Sequence, residues 1–500
     1  MSKMKSMILK STFLIILIVG INYVYKYMFF ETDLQTHSKI INLVRKVVAE
    51  KDEIVYIGES SNITSRADDV DKRAISDFIS DYYPSIKIGS ITKEASHSGI
   101  YYELLRNIPE TSDVKTVIVT LNMRSFNANW IYSNLETPLQ KSIVLLKDYP
   151  PLFNRFLLSF RGYDINTEKE REKQFKDKWA RDILNFPEPF IYKNVIDWDR
   201  GMAEHGVRNS DGTINYQLTE LACHYIKTYA FQIDTLTNPR IKDFDKIVNL
   251  AKERHWNLIF NLLAENIEKA DSLVGKELIY LIKQNRDLLL KRYGKNNVIV
   301  VDNLECVDDS EYIDRNWTTE HYAEKGRKII AKNVAEKLKY FYPKDYFNVT
   351  YNQTKPYEFF NNCEGTVLWG QMQTLTSEKS FSGEKSSKTG QKQDFSVTFE
   401  YPIKNLPDSL KQLSIDMQLF QNDINHDAKL TIEVSGNNIA YQLNGILIKD
   451  LTRAIQRWSA INYLYSLPSD FKKGDLIKIY VYNPTNSIIN IDDIRLKFKK

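Results

Sequence analysis

Ile54-Val55-Tyr56-Ile57-Gly58-Glu59-Ser60-Ser61-Asn62 is the stretch on which the fold turns. Four apolar residues of β-branched and aromatic type read as a short buried strand, cut off at Gly58 and followed by an acid and two serines. Beyond it, the spacing of Ala74, Ile75, Phe78, Ile79 and Tyr82 predicts a helix. A strand that ends in Gly and Ser before a helix sets the serine at the carboxyl edge of a sheet, where open α/β sheets take their ligands. Working outward, residues 85–92 alternate as a second strand, and residues 115–121 form a third that is continuously apolar at its centre, as a buried parallel strand should be. Residues 257–263 and 297–302 read as a fourth and a fifth strand. Helical spacing recurs at 100–108, 277–292 and 326–338, the last of these basic and amphipathic. The alternation predicts a doubly wound, largely parallel α/β domain over 53–345. Between about 136 and 250 the alternation stops, and charged helical text (168–184) and Pro-bearing aromatic loops predict a helical insertion. Such an insertion is either extra scaffold or a cap that shapes a substrate groove.

The bulk numbers exclude several classes. Five hundred residues imply two or three domains, and 43% apolar with 26% charged residues is ordinary globular composition. Lys+Arg 68 against Asp+Glu 64 is near balance and makes no case for nucleic acid. Cys223, Cys306 and Cys363 lie far apart, in no metal-like spacing, although any one pair can bridge in an oxidising compartment.

Lys3, Lys5 and Lys10 precede a mostly apolar run from Ser11 to Phe30, about 20 residues and so of transmembrane length. The basic flank predicts an N-terminus inside and the bulk of the chain outside. Residues 1–30 are read as an uncleaved signal anchor with Tyr23, Tyr25 and Tyr27 as interfacial aromatics; a cleaved signal peptide is the alternative. Both readings place the protein outside the cytoplasm, in the periplasm or on the cell surface. Residues 31–52 read as a helical stalk with Ile40, Ile41, Leu43, Val44 and Val47 on its apolar face.

From 352 to 500 short alternating runs separated by turn residues predict an all-β sandwich. The terminal Ile491-Asp492-Asp493-Ile494 strand, with Trp369 and the Ser382-Gly383 turn, resembles a jelly roll of the carbohydrate-binding-module type. That resemblance implies glycan binding and a structural calcium held by Glu364 with Asp492 or Asp493. The other reading is an architectural sandwich that binds no sugar.

Three further stretches fall where the α/β sheet would present them: Ser96-His97-Ser98-Gly99 after the second strand, Leu121-Asn122-Met123-Arg124 after the third, and Trp317-Thr318-Thr319-Glu320-His321 before the last helix. A serine hydroxyl needs an adjacent base to act as a nucleophile, and a tetrahedral intermediate needs donors aimed at its oxyanion. The set resembles the SGNH/GDSL hydrolase superfamily, whose members fold as flavodoxin-like α/β domains. The resemblance implies Ser60 as nucleophile and backbone oxyanion donor, Gly99 and Asn122 as the other oxyanion donors, and His321 as general base, with no cofactor in catalysis. The order along the chain and the spacing from His321 to Gly326 fit the family. Glu59, Thr120, Met123 and Thr318 depart from it, and Thr318 stands where the triad aspartate is expected. Asp314, Glu320 or a backbone carbonyl are the alternatives for the group behind His321. His97 and Arg124 are candidates for a substrate-hydroxyl partner and an anion clamp, or else are structural polar contacts; Asn122 alternatively caps the turn after its strand.

Some divergent, membrane-anchored members of the superfamily work beside membrane acyltransferases in modifying cell-surface polymers. The expectation is therefore an O-acyl (simplest, acetyl) esterase or acyltransferase acting on a cell-surface or dietary polysaccharide. Its rival is a non-catalytic glycan-binding or assembly protein on a degenerate scaffold of the same fold.

Overall fold

The structure, a computed structural model, describes residues 2–295, 298–347, 349, 357–364, 369–403, 406–407, 409–436, 439–468 and 475–500. Asn297, assigned by its sequence to the fifth strand, and residues 352–356 of the sandwich region lie outside these. The chain divides into two compact units, Met1–Ser80 with Ile86–Pro343, and Asp81–Ser85 with Lys344–Lys500.

In the first unit, helix α1 (Ser2–Met28) contains a stretch, Ser6–Met28, long and apolar enough to cross a membrane; by length and composition it fits an anchor or a signal sequence. Helices α2 (Phe30–His37) and α3 (Ile41–Glu50) follow, then β1 (Ile54–Gly58), α4 (Ser60–Ile63), α5 (Ile75–Asp81), β2 (Ile88–Thr92), α6 (Ser98–Arg106) and β3 (Thr116–Leu121). A helical excursion runs through α7 (Ala128–Ile131), α8 (Glu136–Ile143), α9 (Pro151–Ser159), α10 (Glu168–Arg181), α11 (Val195–His205), α12 (Tyr216–Tyr229) and α13 (Pro239–Glu253). It returns to β4 (Asn257–Leu262), and α14 (Ile267–Val274), α15 (Lys276–Tyr293), β5 (Val298–Asp302) and α16 (Glu324–Leu338) complete the unit.

The five strands are all parallel in the order β2-β1-β3-β4-β5, the doubly wound arrangement whose ligand crevice lies outside the carboxyl ends of β1 and β3. Period-two alternation divides each strand between two faces. Val55, Ile57, Val117, Val119, Leu258 and Phe260 share one hydrophobic cluster with α3, α6, α13 and α15. Ile54, Tyr56, Ile118 and Ile259, the alternate residues, are equally buried. Helices α5 and α16 meet through Arg327 and Lys328, whose charges stand 5.9 and 5.4 Å from the Phe78 ring. The insertion is shifted toward the N-terminus relative to the expected 136–250: irregular helices begin at Ala128, while α13 is itself the crossover helix, with Phe244 edge-on to Phe260 at 5.3 Å.

Residues 31–52 are not a free stalk. Ile41, Val44 and Val47 of α3 belong to the core of the α/β unit. An amphipathic stripe reads the same whether it faces a partner or its own sheet, and here it faces the sheet.

The second unit is built of β6 (Glu358–Asn361), β7 (Trp369–Gly370), β8 (Leu375–Thr376), β9 (Ser386–Thr389), β10 (Thr398–Pro402), β11 (Gln412–Gln421), β12 (Lys429–Gly436), β13 (Ile439–Leu447), the short helix α17 (Ile448–Leu451), β14 (Trp458–Ser466), β15 (Leu476–Tyr482) and β16 (Ile489–Lys499). Two antiparallel sheets form, β13-β12-β15-β10-β7 and β14-β11-β16-β9-β8, with β6 added alongside β16. Leu413, Ile415, Leu419, Leu430, Ile432, Ile477, Ile479 and Leu496 fill the core between them. The three cysteines are all free thiols.

Candidate active site

The carboxyl edge of β1 is shaped by close approach. A Cβ at Gly58 would collide with the Thr120 hydroxyl of β3, so glycine ends the strand here. Glu59 is extended (φ −120°, ψ −161°) and Ser60 opens α4. Asn62, fully buried, pins this turn: its Oδ1 accepts from Ser76 N at 2.9 Å, and its amide donates to Ser76 Oγ at 3.1 Å and Thr92 Oγ1 at 2.8 Å.

His321 reaches the same edge from the other end of the domain. Tyr312 and Tyr322 pair in an isolated antiparallel bridge, with Ile313 N donating to His321 O at 3.0 Å and Ala323 N to Glu311 O at 2.7 Å. This fold-back sets Asp314 beside the imidazole. Ser60 Oγ lies 3.0 Å from His321 Nε2, and His321 Nδ1 lies 2.7 Å from Asp314 Oδ2, which also accepts from Thr319 Oγ1 at 2.6 Å. A carboxylate only accepts, so it fixes the proton on Nδ1 and leaves Nε2 as the acceptor facing the serine. All three groups keep some exposure to solvent.

Arg327 of α16, wholly buried, ties the two halves of this site together. Its Nη1 donates to Thr64 O, Asp69 Oδ2 and Tyr322 O at 3.0, 2.9 and 2.9 Å, and its Nη2 to Asp71 O at 2.7 Å. Asp69 also accepts from Glu324 N at 3.1 Å, satisfying an otherwise orphaned donor at the start of α16. The loop after Ser60 and the residue that follows His321 are thus held by one guanidinium.

Other expected site residues have different roles. The Gly99 N–H donates to His97 Nδ1 at 3.1 Å as part of the α6 cap, so it is not presented to an oxyanion. The Asn122 amide donates to the Glu59 carboxyl in a short hydrogen bond, and its Oδ1 accepts from Arg124 N at 3.0 Å, capping the turn after β3. Glu320 is not the partner of His321; its Oε2 stands 2.5 Å from Arg124 Nη2. Arg124 is no free anion clamp, since it also donates to Thr318 O at 2.6 Å and lies over the Trp130 ring at 4.6 Å. His97 is buried, 3.0 Å from Glu136, and burial lowers its pKa. Thr318 is buried with its hydroxyl 3.0 Å from that of Thr228, turned toward the insertion.

Beneath the serine and histidine lies a cluster that the sequence reading missed. Glu59, Glu265 and Glu320 are all buried and all feel the Arg124 guanidinium. Burial raises the Glu59 carboxyl and lifts Glu265 well above the usual carboxylate range. It pushes Glu320, against the pull of Arg124 and with the help of Glu59, up to about 7. Tyr229 donates to Glu265 in a short hydrogen bond. One signal was available: Glu265 stands three residues beyond the apolar strand β4, at the edge where Ser60 emerges. Trp317 is 52% exposed in the loop between Asp314 and His321, with its ring 3.8 Å from that of His224 on α12.

In the sandwich, the acids expected to ligate calcium secure the 381–385 loop. Glu364 Oε1 accepts from Glu384 N and Lys385 N at 2.6 and 2.7 Å, Asp492 Oδ2 from Phe381 N and Ser382 N at 2.8 and 3.1 Å, and Asp493 Oδ1 from Ser382 Oγ at 2.6 Å. Among the described residues no group of three or more Asp, Glu, His or Cys side chains is placed to hold a metal ion.

No protein-family model matches the chain, and no curated protein matches it. Among solved structures it is similar to the CBM22-1 xylan-binding domain of Xyn10C from Paenibacillus barcinonensis, with 16% identity over 25% of this chain and 80% of that one at a TM-score of 0.20. It is also similar to the C-terminal family 22 carbohydrate binding module of Clostridium thermocellum Xyn10B (11% identity, 28% and 91% covered, TM-score 0.20). A third similarity is to CBM35 from Cellvibrio japonicus Abf62 (12% identity, 29% and 94% covered, TM-score 0.21).

Proposed function

We propose that the chain is a serine O-acyl esterase or acyltransferase, acting outside the cytoplasm, whose catalytic groups are Ser60, His321 and Asp314. The observation that carries this reading is the continuous hydrogen-bonded chain from Ser60 Oγ through both ring nitrogens of His321 to Asp314. Ser60 Oγ attacks the ester carbonyl as His321 Nε2 takes its proton, and Asp314 stabilises the imidazolium. The imidazolium then gives that proton to the departing alkoxide, leaving an acyl-Ser60. Water or a sugar hydroxyl attacks the acyl-enzyme, loses its proton to Nε2, and Ser60 is restored. The Ser60 N–H, at the first turn of α4, is the backbone donor for the oxyanion.

A glycan ester is the proposed substrate, on the resemblance of the sandwich sequence to carbohydrate-binding modules; an acetyl group is the simplest acyl unit. In an anchored chain a membrane acyltransferase is the natural donor partner for the transfer reaction.

One observation favours the rival, non-catalytic reading: the Gly99 N–H and the Asn122 amide are both engaged inside the protein. A fluorophosphonate probe and an acetyl-ester assay on wild type and Ser60→Ala decide between them. Labelling and turnover that vanish in Ser60→Ala are expected; a chain that neither labels nor turns over is a scaffold. Retardation of the full chain in gels cast with polysaccharide tests the glycan arm.

A further inference from the structure

Helix α9 is amphipathic in an unusual sense. Asn154 and Leu158 face the core, while Phe153, Phe156 and Phe160 are 48, 51 and 79% exposed, with Tyr149 at 54% just before them. The spacing 153, 156, 160 puts the three phenylalanines on one helical face, the last of them at the C-cap, and Tyr149, ahead of the helix, joins them through Phe153. Tyr149 and Phe153 meet edge to face at 5.5 Å, and Phe156 and Phe160 stack at 6.3 Å.

The helix is fixed against α1 through residues outside this face, and that placement says what covers the face. The Leu152 N–H, in the first turn of α9, donates to Asn22 Oδ1 of α1 at 3.0 Å. Arg155 Nε lies 2.7 Å from Asp33 Oδ2, and Tyr25 OH donates to the same oxygen at 2.9 Å. Asn22 sits six residues before the end of the apolar stretch Ser6–Met28. At 1.5 Å per residue that is about 9 Å back from its end. A helix bonded at that level cannot stand clear of a bilayer that α1 crosses. Tyr23 and Tyr27 of α1, 56 and 79% exposed, provide aromatics at the same level, as interfacial belts do.

We propose that α9 is a second membrane contact: a monotopic helix whose Tyr149, Phe153, Phe156 and Phe160 lie in the headgroup–acyl boundary of the lipid bilayer beside α1, holding the α/β unit down on the membrane. The proposal is independent of catalysis and rests on α1 remaining in the chain as an anchor.

The test uses the full-length protein in proteoliposomes of phosphatidylcholine and phosphatidylglycerol, with a benzophenone amino acid at 153, 156 or 160, at 15 within α1, or at 172 on the exposed face of α10. After irradiation, lipid adducts are read by mass spectrometry. Adducts at 153, 156 and 160 about tenfold above those at 172, and comparable to those at 15, are expected. Adducts at 15 with only background at the three α9 positions overturn the α9 contact while leaving the anchor intact. Background at 15 as well overturns the anchor and the α9 contact together.

Discussion

Asp314 Oδ2 lies 2.7 Å from His321 Nδ1 across seven residues of sequence, because the Tyr312–Tyr322 bridge folds the segment back on itself. Asp314→Asn should keep the fold, since the segment is held by the Tyr312–Tyr322 bridge and by backbone bonds from Ile313 N and Ala323 N that do not use the side chain. It should lower acetyl-ester turnover by about 10²–10⁴-fold by leaving the imidazole in the wrong tautomer. An undiminished rate in that variant would assign catalysis to a Ser60–His321 dyad.

Arg327→Ala should be severe. It leaves Asp69 buried without its cation and frees the loops on both sides of the site, with an expected loss of about 3–5 kcal/mol. Arg327→Lys should recover little, because one ammonium cannot reproduce the fork that serves Thr64, Asp69, Asp71 and Tyr322. Urea unfolding with Ser60 labelling as a second readout checks both.

Asn122 separates two accounts of the same residue. Removal of an oxyanion donor costs about 10²–10³ in kcat. An amide that serves Glu59 and caps a turn should instead cost about 1–3 kcal/mol of stability in Asn122→Ala, with turnover changed by less than about tenfold.

The buried acids give a pH signature with a defined sign. Glu265 holds its proton in the folded state at pH values where the unfolded chain has released it, so folding binds more protons than unfolding does. Stability should fall as pH rises above the ordinary carboxylate pKa of about 4.3, by up to about 1.4 kcal/mol per unit while that difference lasts. Glu265→Gln titrates in neither state, so its stability relative to wild type should improve with rising pH. Parallel unfolding curves for the two proteins would refute the buried proton.

Trp317 and His224 offer an aromatic plate beside the histidine loop. Trp317→Ala should raise KM for a polymeric ester and leave small acetyl esters unaffected; equal effects on both would make Trp317 structural.

The sheet was legible because its strands are short apolar runs with helical periods between them, an alternation that predicts a parallel doubly wound sheet but not the order of its strands. The turn that carries Ser60 was legible too, as Gly58 interrupts such a run. Asp314 was visible only as one alternative, since the bridge that delivers it depends on two tyrosines ten residues apart with no local signature. Gly99 misled because an N–H near a strand end looks available until His97, two residues earlier, caps it. Glu59, Glu265 and Glu320 come from three separate strand-end or loop segments, so their meeting is a property of the sheet order and not of any stretch of text. The stalk reading failed for a different reason: an amphipathic period reports that a face is covered and is silent about what covers it.

Only Phe29 separates α1 from α2, and α3 is locked in the core that carries β1. With α1 in a bilayer, the chain between lipid and the sheet edge that carries Ser60 has no slack to let out. Ser60 would then work at one height above the lipid, and bonds in a surface polymer nearer or farther than that height would be out of reach whatever their chemistry. A tether of this kind is a ruler as much as an anchor.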